Sequence, residues 1–230
     1  MITILLPIYN GINFIEECIN SIKSQTYDNW QLLIGINGHP KNSEVFMKAN
    51  KFSSEKIKVF DYYFINNKVD ALLELNKNTK SDYICLIDVD DKWLPNKLEK
   101  QIRFIYKFDI IGTKCEYFGD IENHVPVIPI GNLCNFNFFK FNPIINSSVM
   151  LRKDLLLYNV NNEINNIDKY ILEDYSLWLK LYTKKYKFYN VNDILVKHRI
   201  HKCSFYNYSN EQDKKILIIK KYYFEKINCK

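Results

Sequence analysis

The sequence predicts an α/β fold in which a mostly parallel central sheet, Rossmann-like in its wiring, is flanked by helices on both faces. Three features predict it. Short apolar runs are continuous rather than alternating, as expected of strands buried on both faces. Stretches of helical period separate those runs. Polar residues gather where the runs end, at Tyr9–Asn10, Asn37–Gly38 and Asp88–Asp91, the carboxyl edge at which such sheets bind ligands.

Ile2 to Leu6 is the first strand, ending at Pro7. Asn13, with Glu16 three residues on, has the spacing of a capping box, and Ile15, Ile19 and Ile22 then share one helix face. Gln31 to Ile36 is a second buried strand, stopped by Gly38 and Pro40. A polar helix near Ser43 to Phe52, a strand within Ile57 to Ile65 and a helix from Val69 to Asn78 follow. Tyr83 to Asp88 is the strongest strand, and Pro95 marks the start of a helix that aligns Leu98, Ile102 and Ile105. Beyond it, Asp109 to Gly112, Ser147 to Arg152 and Ile194 to Arg199 have strand character. Leu172 to Tyr186 and Asn210 to Ile227 have helical character. No repeat or flexible linker interrupts the chain, so one domain is expected over residues 1–230.

Composition excludes more than it selects. At 230 residues with 47% hydrophobic and 25% charged residues, the chain has enough apolar surface for a core without a disulfide or metal staple. The net charge of +6 is mild and rests almost wholly on lysine, with Arg103, Arg152 and Arg199 the only arginines. It supplies no argument for nucleic-acid binding. The six cysteines form no C-x-x-C pair, and the opening Met1–Pro7 has no basic region or small-residue cleavage site. Free thiols and a cytoplasmic location are expected, and no run is long and apolar enough to span a bilayer.

Chemistry concentrates in Asp88–Val89–Asp90–Asp91. Three carboxylates this close repel one another unless a cation or donors offset the charge, and oxygen ligands suit Mg²⁺ or Mn²⁺. The competing reading has Asp91 cap the helix near Pro95 while its neighbours face solvent. Glu173–Asp174 has two readings as well, catalytic acids or acids that favour a helix N-terminus. Trp178 and Leu181, at helical spacing, favour core over sugar stacking. His198 and His201 suit either local hydrogen bonds or a place beside a carboxylate-bound cation.

Six elements in order carry a resemblance. Pro7–Ile8–Tyr9–Asn10 resembles a P-x-Y-N opening, and Ser21 to Gln25 with Tyr27 and Trp30 resembles S-x-x-x-Q-T-y-x-x-w. Lys68 to Leu72 is similar to K-x-x-A-L-N, with Leu73 in place of the asparagine. YICLIDVDDKWL, residues 83–94, is similar to Y-I-x-F-L-D-x-D-D-x-W, and Glu173 to Trp178 to E-D-y-x-L-W. His198 to His201 with Ser204 resembles Y-R-x-H-x-x-S. Together these resemble the family 2 glycosyltransferases of the GT-A, nucleotide-diphospho-sugar transferase fold.

The resemblance implies an inverting, metal-dependent transfer of a sugar from a nucleotide diphosphate, UDP by default, to a glycan, lipid-linked or protein acceptor. It implies that Asp88 holds the ribose and Asp90 the divalent cation (Mn²⁺ or Mg²⁺), with His201 at the metal and Arg199 near the diphosphate. Pro7, Tyr9, Asn10, Asn37 and Lys68 would line the nucleotide-sugar site, and Asp174 would be the general base. Residues 1–112 would then form the donor half, 113–209 the acceptor half, and 210–227 an amphipathic helix. That helix is expected to pack on the domain, with peripheral membrane contact as the other reading. One departure stands out: the two acids expected after the second strand are Ile36 and Asn37 here. It is the best argument for the alternative, a non-catalytic nucleotide-sugar or glycan-binding protein.

Overall fold

The computed structural model describes residues 1–159, 173–201 and 210–228. Strands β1 (Ile2–Ile8), β2 (Trp30–Asn37), β3 (Ile57–Tyr62) and β4 (Tyr83–Leu86) alternate with helices α1 (Ile15–Lys23), α2 (Glu44–Asn50) and α3 (Lys68–Lys77). The short β5 (Lys92–Trp93) precedes helix α4 (Lys97–Gln101). Then come β6 (Ile110–Gly119), β7 (Gly131–Asn132), a 3₁₀ turn at Asn146–Ser148 and β8 (Met150–Arg152). Helix α5 (Glu173–Thr183), β9 (Phe188–Ile200) and α6 (Asn210–Asn228) complete the described elements.

The strands form one sheet in the order β3-β2-β1-β4-β8-β6-β9-β5, with β7 on β9. The long pairings, β1 with β2, β3 with β2, β4 with β1 and β9 with β6, are parallel. The antiparallel pairings are two or three residues each.

Alternation along β1 explains why its run is apolar but for the buried Thr3. Ile2, Ile4, Leu6 and Ile8 join the core beneath α1, with Ile15, Cys18, Ile19 and Ile22. Leu5 faces the other way, into the core of α3, α5 and α6 with Leu72, Leu75, Trp178, Ile219 and Tyr223. Trp178 is fully buried there, which favours its core reading over sugar stacking.

Several sequence expectations shift. Pro7 lies inside β1, opposite Gly35, rather than ending it. The Leu5 carbonyl accepts from Ile87 N on the β4 side. Pro7, two residues on, faces that side beyond the last paired residue of β4, so its missing N–H breaks no ladder bond. Asn13 does not cap α1: the N-cap is Phe14, without a side-chain bond. A tight turn from Gly11 (Phe14 N to Gly11 O, 2.9 Å) and the contact of Phe14 with Arg199 set that helix start instead. Strand β9 is longer than Ile194–Arg199 because Asn190 breaks the apolar pattern. Its buried amide donates to the carbonyls of Pro129 and Pro143 at 2.8 and 2.9 Å and so pins the loop before the 3₁₀ turn.

Cys18, Cys85, Cys115 and Cys134 are free thiols, as expected, while Cys203 and Cys229 lie outside the described residues. Among the described residues no helix is long and apolar enough to cross a membrane.

Candidate active site

The site lies at the carboxyl edge of β1, β2 and β4, and the turn at residues 87–91 is braced from below. Trp93 Nε1 donates to Ser147 O at 2.7 Å, and Asp88 N donates to the Ser147 hydroxyl at 3.0 Å. Gln101 Nε2 donates to Ser148 O and Ile111 O at 2.8 and 2.7 Å. Its amide is oriented by Lys97 Nζ, which donates to Gln101 Oε1 at 2.6 Å and lies 3.9 Å from the centre of the Trp93 ring. From α1, Gln25 reaches Leu94 O (2.8 Å) and accepts from Leu98 N (3.0 Å), and Ser21 Oγ accepts from Trp93 N (3.1 Å). The S-x-x-x-Q stretch is therefore a strut under the acidic turn.

Lys97 is fully buried, and burial pushes its pKa down to about 8 from 10.5. The folded value lies below the unfolded one, so the charged ammonium opposes folding at neutral pH. That opposition fades as the proton leaves between about pH 8 and 10.5. Native stability relative to Lys97→Met is expected to rise by up to about 3 kcal/mol across that window. Urea unfolding of both proteins at several pH values checks it, and a flat difference refutes it.

The three aspartates have different partners. Asp88 Oδ1 is 2.7 Å from Lys68 Nζ, and its Oδ2 accepts from Asn146 Nδ2 at 2.9 Å. Burial opposes the Asp88 charge, but Lys68 outweighs it and holds the carboxyl below its usual range. Asp91, 1% exposed, accepts from Arg199 N (2.8 Å) and pairs with His198 Nδ1 (3.0 Å). It ties β9 to the turn and does not cap α4, whose N-cap is Asn96. Burial disfavours the His198 cation, but Asp91 outweighs it and lifts the imidazole to about 9.

The Asp90 side chain pairs with His201, Oδ2 to Nε2 3.1 Å. Burial, then the neighbouring Asp91 and Asp88, raise its pKa. This pair of oxygen and imidazole donors, set in an excess of negative charge, fits a divalent cation that takes its other ligands from phosphates and water. Among the described residues no three His, Cys, Asp or Glu side chains group to hold an ion by themselves.

Arg199 sits between two aromatic rings. Its guanidinium carbon lies 4.4 and 4.1 Å from the ring centres of Phe14 and Phe118. Its Nε donates to Asp90 O at 2.9 Å, and it pairs with Glu17. The bond from its Nε braces the Asp90 backbone, beside the diphosphate place that the resemblance implies for it.

Asn67 sets the start of α3 by accepting from Asp70 N at 2.8 Å, which puts Lys68 at the first helical position. From there Lys68 Nζ also reaches Glu173 Oε1 at 3.0 Å. Asp174, next along α5, accepts from Tyr175 N at 2.6 Å and from Asn142 Nδ2 at 3.2 Å. Burial, then the Glu173 charge, lift its carboxyl to about 6 against the pull of Lys68. A carboxylate poised near neutrality suits general-base work. Asn146 and Lys97 escaped assignment from sequence, and Asn146 lies in an asparagine-rich stretch that carries no spacing signal.

On the nucleotide side, Pro7 is buried, Tyr9 is half exposed and Asn10 is exposed. The Tyr9 ring lies over Gly38, and His39 bonds the Tyr9 carbonyl. Gly38 has φ +74°, and a Cβ there would sit 2.0 Å from the Tyr9 ring. Gly38→Ala is expected to destabilise by about 1–3 kcal/mol and to weaken nucleotide binding by displacing that ring. Thermal unfolding and UDP calorimetry check both. Ile36 belongs to the core and Asn37 is fully buried, its amide without a hydrogen-bond partner among the described residues. The structure therefore places Asn37 next to Gly38 but not at an open surface.

Comparison with known proteins agrees with this architecture. A solved structure of Staphylococcus aureus TarS with UDP-GlcNAc superposes with a TM-score of 0.71 at 15% identity, over 95% of this chain and 66% of that one. A mannosyltransferase of Pyrobaculum calidifontis, solved with GDP-Man and Mn²⁺, gives 0.64 at 13% identity, over 96% and 69%. The fold is that of the GT-A glycosyltransferases. A glycosyltransferase of Rickettsia conorii is 26% identical over 210 residues, 87% of this chain and 34% of its own length. The chain thus spans about a third of that relative. Bacillus subtilis EpsE is 26% identical over 86% of this chain and 72% of its own. An Escherichia coli UDP-Glc:α-D-GlcNAc-diphosphoundecaprenol β-1,3-glucosyltransferase is 32% identical over 48% of this chain and 43% of its own. The family model described as glycosyl transferase family 2 matches residues 3–212, and the chain belongs to that family.

Proposed function

We propose that this glycosyltransferase moves a sugar from a nucleoside diphosphate, UDP by expectation, to an acceptor hydroxyl with inversion. The observation that carries the reading is the Asp174 carboxyl. It is held by Asn142 and Tyr175 N and tied through Glu173 and Lys68 to Asp88.

In this reading Asp88, fixed by Lys68 and Asn146, accepts from the ribose hydroxyls, and Tyr9 with Asn10 flanks the nucleoside. Asp174 takes the acceptor hydroxyl's proton as that oxygen attacks the anomeric carbon. A single base opposite the leaving group supports one displacement, hence inversion. Asp90 and His201 would hold Mn²⁺ or Mg²⁺, which when bound neutralises the charge gathering on the departing diphosphate. Asp174 must be ionised to accept a proton, so kcat is expected to fall about tenfold per pH unit below about pH 6. A pH–rate profile without an acidic limb in that region argues against Asp174 as the base.

Residues 1–112 serve as the donor half and 113–209 as the acceptor half. The E. coli relative's named acceptor makes a lipid diphosphate-linked sugar the first acceptor to try. Exposed Leu217, Ile218 and Phe224 on α6 support peripheral membrane contact; vesicle flotation unchanged by Leu217→Glu with Phe224→Glu would remove that idea. The free thiols fit the cytoplasm.

The deciding experiment incubates the protein with Mn²⁺ or Mg²⁺ and a panel of nucleotide sugars while following free nucleoside diphosphate. Cation-dependent release of one diphosphate is expected. No release together with no calorimetric binding overturns the assignment. Binding without release at any acceptor supports the non-catalytic alternative, which the buried Asn37 and Ile36 favour.

A further inference from the structure

We propose that Lys68 is a positioning residue for the transfer step: clamped between Asp88 and Glu173, its ammonium holds the first turn of α5 against the donor carboxylate and keeps Asp174 available as a base. The inference rests on the reading of Asp174 as that base.

The geometry is one cation among three carboxylates. Lys68 Nζ is 2.7 Å from Asp88 Oδ1 and 3.0 Å from Glu173 Oε1. Asp88 ends the β4 side of the site, Glu173 opens α5, and Lys68 opens α3, so three separate elements meet at one ammonium. Asp174 feels every member: Glu173 and Asp88 disfavour its charge and Lys68 favours it. The other described groups facing Asp174 or the ring beside it are the neutral Asn142 amide, the Tyr175 phenol (bonded to Phe138 O at 2.6 Å) and Lys220. Lys220 lies 5.8 Å from the Tyr175 ring centre. Lys68 is thus the cation with two direct ties to this acidic group. A donor-binding lysine needs only its Asp88 contact; the second tie, to the residue preceding the base, is what a positioning role requires.

The consequences have opposite signs. Removing the ammonium leaves three carboxylates facing one another, so Lys68→Met should move the acidic limb of kcat upward by roughly 1–2 units. Removing the like charge in Glu173→Gln should move it down from about 6. The double variant should lie between them, and Lys68→Arg, which keeps the charge, should keep the limb near its native position. A lysine that only contacts donor would raise the donor KM and leave the limb in place. A lysine that only supports the fold would lower the melting temperature and leave it in place too.

The test records pH profiles of kcat at saturating donor, and separately titrates the Asp174 carboxyl carbon by ¹³C NMR in the full-length protein, assigned with Asp174→Asn. Opposite shifts for Lys68→Met and Glu173→Gln establish the proposal. If Asp174→Asn abolishes turnover while neither variant moves the limb, the proposal falls and the base assignment stands. If Asp174→Asn retains turnover, the base assignment falls. The carbon titration then decides on its own, and equal midpoints in native and Lys68→Met protein overturn the proposal as well. Should Lys68→Met not fold, Glu173→Gln carries the test, with no downward shift as the refuting result.

Discussion

Asp174→Asn is expected to lower kcat for sugar transfer by roughly 10²–10⁴-fold, the usual contribution of a positioned general base, while UDP affinity stays as it was. The substitution keeps shape and removes only the proton acceptor. Its local effect can be anticipated from the bonds already present. One amide oxygen can still accept from Tyr175 N, as Asp174 Oδ1 does at 2.6 Å. The new NH₂ would then face the Asn142 NH₂, which now donates to Asp174 Oδ2 at 3.2 Å. Asn142 cannot turn over freely, because its own carbonyl oxygen accepts from Ile144 N at 3.1 Å. One buried hydrogen bond is therefore lost, worth about 1 kcal/mol, too little to unfold the protein. Steady-state kinetics with calorimetry on the same preparation separates the two effects. Unchanged kcat would remove Asp174 from the mechanism. A parallel loss of UDP affinity would mean that the donor site had collapsed.

The two halves of the molecule were not equally legible in the sequence. Helices and strands up to Asp91 announced themselves because β1 and β2 are buried on both faces and the helices between strands show one apolar side. Ile2 to Ile8 feeds two cores at once, and its one polar residue, Thr3, is buried and hydrogen-bonded to Ser81. From Asp109 on, pairing depends on groups whose role is visible only in three dimensions. Asn190 in β9 looks like a loop residue until its Nδ2 is seen donating to Pro129 and Pro143. The acidic turn was recognisable because its carboxylates lie together in the sequence. Their division of labour was not, since Lys68, His198 and His201, which partner Asp88, Asp91 and Asp90, come from distant positions. Arg199 is the clearest case. Nothing in its sequence position shows that Phe14, Phe118 and Glu17 lie against its guanidinium. Asn13 failed as a cap for a related reason: Phe14 is held by that same arginine, and tertiary contact overrode the local capping signal.

Asp90→Asn is expected to pull activity and stability in opposite directions. Cation-stimulated diphosphate release should fall by about 10²-fold or more, because several kcal/mol of charge stabilisation depend on the ion's seat. Of the two proposed ligands among the described residues, His201 would be left. Folding should meanwhile improve when the protein is studied in a chelator. Burial and the charges of Asp91 and Asp88 raise the Asp90 pKa, so its ionised form is less stable in the fold than in the unfolded chain. The sign follows directly: the penalty is present at neutral pH and disappears once pH falls below the unfolded value near 3.8. The variant should therefore melt above the native protein at pH 7 and level with it in acid. Adding Mn²⁺ should raise the melting temperature of the native protein and leave the variant unmoved. A variant that is both inactive and less stable would identify Asp90 as a structural acid. One that is more stable but inactive would identify a carboxylate retained against the interest of the fold, because the reaction needs a negative site for a cation at that position.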